Sequence, residues 1–128
     1  MKVIKRQGKE SHKAEEYFAP ALNSFQNLWE NLPVACHILT TEGIITKVNQ
    51  TEARLLGYRK EEMVGKSIFD FILPEQRPET KKRFQQQLAG KSLPRAKDRI
   101  MVKKDGSKIQ LAVNDLIERD DQGKPTAV

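Results

Sequence analysis

The chain is poor in the residues that most often carry chemistry. It has one cysteine (Cys36), two histidines (His12 and His37), one tryptophan and two tyrosines in 128 residues. A single thiol excludes an internal disulfide framework and fits a reducing cytoplasm. Two histidines are too few for a metal site, and no metal is expected. No apolar run, Pro33 to Leu39 included, approaches the length of about 20 residues that crosses a bilayer. The basic N-terminus MKVIKRQGKE is followed by no apolar segment, so it does not read as a secretory signal. The expectation is a cytoplasmic protein with no membrane partner.

Catalytic and cofactor patterns are missing as well. Gly65-Lys66-Ser67 and Gly90-Lys91-Ser92 imitate the end of a phosphate-binding loop. The glycine required five residues earlier is Lys60 in one and Gln85 in the other. Cys36-His37 imitates a haem attachment site, but Pro33 stands where the first cysteine belongs. On a strand these two side chains point to opposite faces, and Cys36 reads as a small core residue. No nucleophilic elbow and no pair of carboxylates in an apolar cleft is recognisable, so no residue is assigned as catalytic. The formal charge of +6 raises nucleic-acid binding as a distant alternative. Its lysines and arginines are interleaved with acidic residues, the pattern of a solvated surface, which argues against it.

What is present is a regular alternation of elements. Residues 1–13 form a loose basic tail. Residues 14–31 carry Phe18, Leu22, Phe25 and Trp29 at spacings of four, three and four, one stripe on an amphipathic helix interrupted at Pro20. That stripe packs on its own domain or forms a dimer seam. PVACHILT and GIITKV read as a hairpin. Asn49 caps a short helix and pins the end of the preceding strand, with Glu52 in the capping-box position and Gly57 closing the helix. As a cap, Asn49 should tolerate Asp better than Ala. RKEEMVG is a second brief turn. Ser67 caps a third, IFDFIL, which Pro74 ends. A longer helix starts at or just before Pro78 and closes at Gly90. KDRIMVKK then turns at Asp105-Gly106 into KIQLAVNDLIE, and RDDQGKP leads to TAV, the beginning of a further strand. Strands grouped on either side of a helical block argue for an α+β domain with an antiparallel sheet.

Five short motifs stand in order: Gly43-x-Ile45-x-x-x-Asn49, Leu55-x-Gly57-Tyr58, Glu61-Glu62-x-x-Gly65, Pro74-Glu75-x-Arg77 and Asp105-Gly106. In order and spacing they resemble the PAS domain, over roughly residues 32–128. The resemblance implies a five-stranded antiparallel sheet with short helices and one longer helix on one face. It places the fifth strand between the first and fourth, with only its start present. It also implies a sensory module that binds a small molecule or mediates dimerisation. Such a module regulates a C-terminal effector such as a histidine kinase or a cyclic-nucleotide enzyme. The alternative is a ligand-free protein–protein interaction module.

The homodimer would form through the helix preceding the sheet, and the pocket would be lined by Ile45, Leu56, Ile72, Phe84, Leu88, Ile100, Val102, Leu111 and Val113. Covalent flavin is not expected, because SIFDFILPEQR holds no cysteine. Histidine-ligated haem is not expected, because RPETKKRFQQQLAG holds no histidine. Thr40 departs from the acid usual at its position.

Overall fold

The computed structural model describes residues 21–94 and 98–128. The expected tail, and Phe18 of the aromatic stripe, lie outside the described residues. The chain divides into two compact units, residues 1–33 and 34–128. In the first, residues 21–31 are helical (α1). Phe25 and Leu28 are exposed on it, while Leu22 and Trp29 are half-buried.

The second unit opens with a hairpin, β1 (His37–Leu39) and β2 (Ile45–Val48). Its register pairs His37 with Val48 and Leu39 with Ile45, with an irregularity between Ile38 and Leu39. Thr40 Oγ1 accepts hydrogen bonds from the N–H groups of Glu42 and Ile44. A hydroxyl thus organises the turn in place of an acid.

Helix α2 (Gln50–Leu56) follows at once. Asn49 is extended at φ −83° and ψ 164°, and its side chain accepts from the Glu52 N–H. Gly57, at φ 79°, ends the helix in the left-handed region and donates to the Ala53 and Arg54 carbonyls. The one-turn helix α3 (Lys60–Met63) and two 3-10 turns, Ile68–Phe71 and Pro74–Gln76, lead into α4 (Arg77–Leu88). Ser67 caps the first 3-10 turn, and Pro78 sits in the first turn of α4, where its missing N–H costs nothing.

Two further hairpins complete the unit. β3 (Arg99–Val102) pairs with β4 (Lys108–Leu111), and β5 (Glu118–Arg119) pairs with β6 (Pro125–Ala127). The stretch expected as one strand after Gly106 is therefore divided. Among the described residues, 112–117 belong to no ladder, and Asn114 and Asp115 within them are poor strand formers. Val128 exchanges backbone hydrogen bonds with Leu39 at 2.7 and 3.1 Å, which ties the last hairpin to the first.

In place of one five-stranded ladder the strands form three two-stranded ones, and the helical block lies along β2 and β3. The Ile45 N–H donates to the Lys66 carbonyl and the Gly65 N–H to the Ile45 carbonyl, closing the edge of β2. The Leu73 N–H donates to the Ile100 carbonyl, and the Ile100 N–H donates to Gln76 Oε1, closing the edge of β3. These bonds occupy edge groups of β2 and β3 that another strand would otherwise need. The core lies between sheet and helices and holds Leu39, Ile45, Val48, Ala53, Leu56, Met63, Ile68, Phe69, Phe71, Ile72, Phe84 and Met101.

Candidate functional site

Four of the nine expected pocket residues, Ile45, Leu56, Ile72 and Phe84, are buried in one cluster. Leu88 and Leu111 are partly buried and pack against it, as do Tyr58 and Ile109. Rings set the spacing around them. Tyr58 meets Phe71 edge-on with centroids 5.1 Å apart, and Phe69 meets Phe84 at 5.6 Å.

Ile100, Val102 and Val113, each half-buried, lie outside this cluster, and for the first two the register gives the reason. The β3–β4 register pairs Met101 with Ile109, whereas Ile100 faces Gln110 and Val102 faces Lys108. Directly opposed residues share a face. Met101 and Ile109 therefore look inward, and Ile100 and Val102 belong to the polar-paired outer face. Met63 and Met101, both buried, are interior residues that sequence reasoning missed. The hairpin turn at Asp105-Gly106 carried the signal for Met101, because it fixes which residues oppose each other.

At one end of the apolar interior stands a polar corner. Asn49 is fully buried, and each of its polar side-chain atoms is engaged. Oδ1 accepts from the Cys36 N–H and the Glu52 N–H, both at 3.0 Å, and Nδ2 donates to the Val34 carbonyl at 2.8 Å. The Asn49 N–H donates to the Cys36 carbonyl at 2.9 Å. Half of the expected capping box is thus replaced. The Glu52 carboxylate does not return to Asn49; its oxygens lie 2.8 and 2.9 Å from Nδ1 of His37.

This contact crosses from α2 to β1 and is nearly sealed. The side chains of His37 and Glu52 are 18% and 4% exposed. His37 opposes the buried Val48 and so shares its face, and Cys36, also half-buried, stands just before β1. An ion pair, Arg99 and Asp115 at 3.1 Å, is also mostly enclosed. Among the described residues, no group of three or more His, Cys, Asp or Glu side chains could hold a metal ion. Among them, no helix is long and apolar enough to cross a membrane.

The hairpin, the short capped helix, the helical block and the later hairpins can now be compared with known proteins. The family model for the PAS fold matches residues 23–128. The chain belongs to the PAS family. A search of curated proteins finds no match. Solved PAS domains are similar along most of the chain. That of an HTR-like protein from Haloarcula marismortui has 28% identity and a TM-score of 0.72, over 91% of this chain and 93% of that one. A PAS domain from Desulfitobacterium hafniense has 22% identity and a TM-score of 0.66, over 79% and 92%. A domain of a sensory box sensor histidine kinase/response regulator from Geobacter sulfurreducens has 16% identity and a TM-score of 0.62, over 88% and 96%. The last two likenesses concern the fold alone. Within this PAS domain, Asn49 and Gly57 bound the short helix that carries Glu52 onto the sheet.

Proposed function

We propose that this PAS domain is a cytoplasmic sensory module that regulates a C-terminal effector, such as a histidine kinase or a cyclic-nucleotide enzyme. The PAS match over residues 23–128 carries the reading. The likeness to a domain of a sensor histidine kinase/response regulator agrees with it. In this reading the signal is a small molecule taken into the apolar interior, or the pairing of two copies through α1. Phe25 and Leu28, 58% and 61% exposed, give α1 an apolar surface for such pairing beside Leu22 and Trp29.

One observation favours a second reading, a ligand-free interaction module. Ile45, Leu56, Met63 and Ile72 are fully buried, so the chain's own side chains occupy much of the interior. The two readings separate when the purified chain is denatured and the released small molecules are identified by mass spectrometry. A stoichiometric organic ligand supports sensing, and its absence supports the interaction module. Dimerisation is read by light scattering. Phe25→Glu with Trp29→Glu should give a folded monomer, and an unchanged assembly would remove α1 as the seam.

A further inference from the structure

Glu52 is a carboxylate with 4% of its side chain exposed, yet among the described residues the side-chain donor placed on it is a single histidine nitrogen. Both carboxylate oxygens converge on Nδ1 of His37. Nε2 is left as the position that gains and loses a proton, and the ring keeps 18% exposure through which water exchanges it. With that proton present the pair is neutral as a unit. Without it, the pair carries one negative charge where Glu52 is almost sealed from water, and such a charge is costly when incompletely compensated.

Among the described residues, β2, α2 and β6 place no cation on the pair. On β2 the charged residue is Lys47, which opposes Ile38 and so stands on the other face from His37. On α2 it is Arg54, which is exposed. β6 consists of Pro125, Thr126 and Ala127 and carries no charge. The Cys36 thiol is adjacent in sequence, half-buried and just outside β1, and it supplies no positive charge.

We infer that protonation of His37 is a latch on α2: with the proton on, the His37–Glu52 contact fastens α2 to β1, and with it off, α2 loosens. The sign follows from the charges. Docking is tighter with the proton on than with it off, so it weakens toward alkaline pH. The inference does not depend on what the interior binds or which effector follows.

Hydrogen exchange of the α2 amides at pH 5.5 and 7.5, each corrected for intrinsic exchange, reads the latch directly. Imidazole protonation is the change the latch invokes between these two conditions. In the unaltered chain, α2 protection should be roughly 5-fold higher at pH 5.5, the difference between a charge-assisted and an ordinary hydrogen bond. His37→Gln should abolish that ratio, and Glu52→Gln should abolish or invert it. His12→Gln should leave it intact. If His37→Gln does not fold, the Glu52→Gln ratio and the joint NMR titration of the His37 ring and the α2 amides decide. A ratio near one in the unaltered chain, or the same ratio in Glu52→Gln, would overturn the latch.

Discussion

Asn49 and Cys36 are joined twice. The Asn49 N–H donates to the Cys36 carbonyl at 2.9 Å, and the Cys36 N–H donates to Asn49 Oδ1 at 3.0 Å. One side chain therefore caps α2 and fixes where β1 begins. Its Nδ2 adds a third restraint through the Val34 carbonyl. The cap by itself is worth about 1 kcal/mol. Asn49→Ala also strands buried N–H groups and should cost roughly 2–4 kcal/mol in urea unfolding. The structure reverses the expectation for Asp. Asn49→Asp keeps the acceptor but sets a carboxylate oxygen against the Val34 carbonyl, so its loss should approach that of Ala. An aspartate variant as stable as the native chain would reduce Asn49 to a simple cap.

Gly43 should resist any side chain. Its φ is +86°, and a Cβ there would lie 2.6 Å from Cε2 of Phe69, a buried ring packed against Phe84. Gly90, at φ +85°, has nothing within 4 Å and serves as the reference. Gly90→Ala should cost about 1–2 kcal/mol, the left-handed backbone alone. Gly43→Ala should cost roughly 2–4 kcal/mol, because overpacking adds to it. Equal losses in denaturant midpoint would mean that Phe69 moves aside freely.

Glu62 connects α3 to the β3–β4 turn. Nζ of Lys104 lies 2.9 Å from each of its oxygens, and Nε of Arg59 lies 3.0 Å from one. The Lys104 hydrogen bond, then that of Arg59, holds the Glu62 carboxyl below the ordinary range. A lowered carboxyl stabilises the fold above its ordinary value, and the contribution is lost as pH falls through the lowered one. Lys104→Met removes the charge, and with it the approach of Nζ to the Tyr58 ring. NMR should then show Glu62 titrating at higher pH. The stability gap between variant and native chain should close as acid is added. A Glu62 midpoint that does not move would assign the shift elsewhere.

The sequence made the elements legible wherever a local signal existed. Asn49, Gly57, Ser67 and Pro78 each act within a turn of their own position, so the helix boundaries could be read from them. The interior was only half legible. β4 is apolar at alternate positions, Ile109 and Leu111, but β3 reads Ile100-Met101-Val102, apolar at every position, and alternation alone cannot choose its face. The partnership of Glu52 was not legible at all. Its spacing from Asn49 matched a capping box, yet its partner His37 lies on β1, brought near only when the hairpin folds. A local pattern lost to a tertiary contact.

The facing of β3 gives the last prediction. Met101 is 3% exposed and opposes Ile109, while Ile100 is half-buried and opposes Gln110. Threonine suits a strand at either position, so exchanging each residue for it compares burial rather than backbone preference. Met101→Thr leaves a cavity and buries a hydroxyl, and should cost roughly 2–5 kcal/mol. Ile100→Thr leaves the backbone bonds to Leu73 and Gln76 intact and should cost less than about 1 kcal/mol. The cycle with Ile109→Val should show coupling to Met101 and none to Ile100, since only the first pair shares a face. If Ile100 proves the costlier residue and the one coupled to Ile109, the β3–β4 register is shifted by one and the interior is lined by Ile100 and Val102 after all.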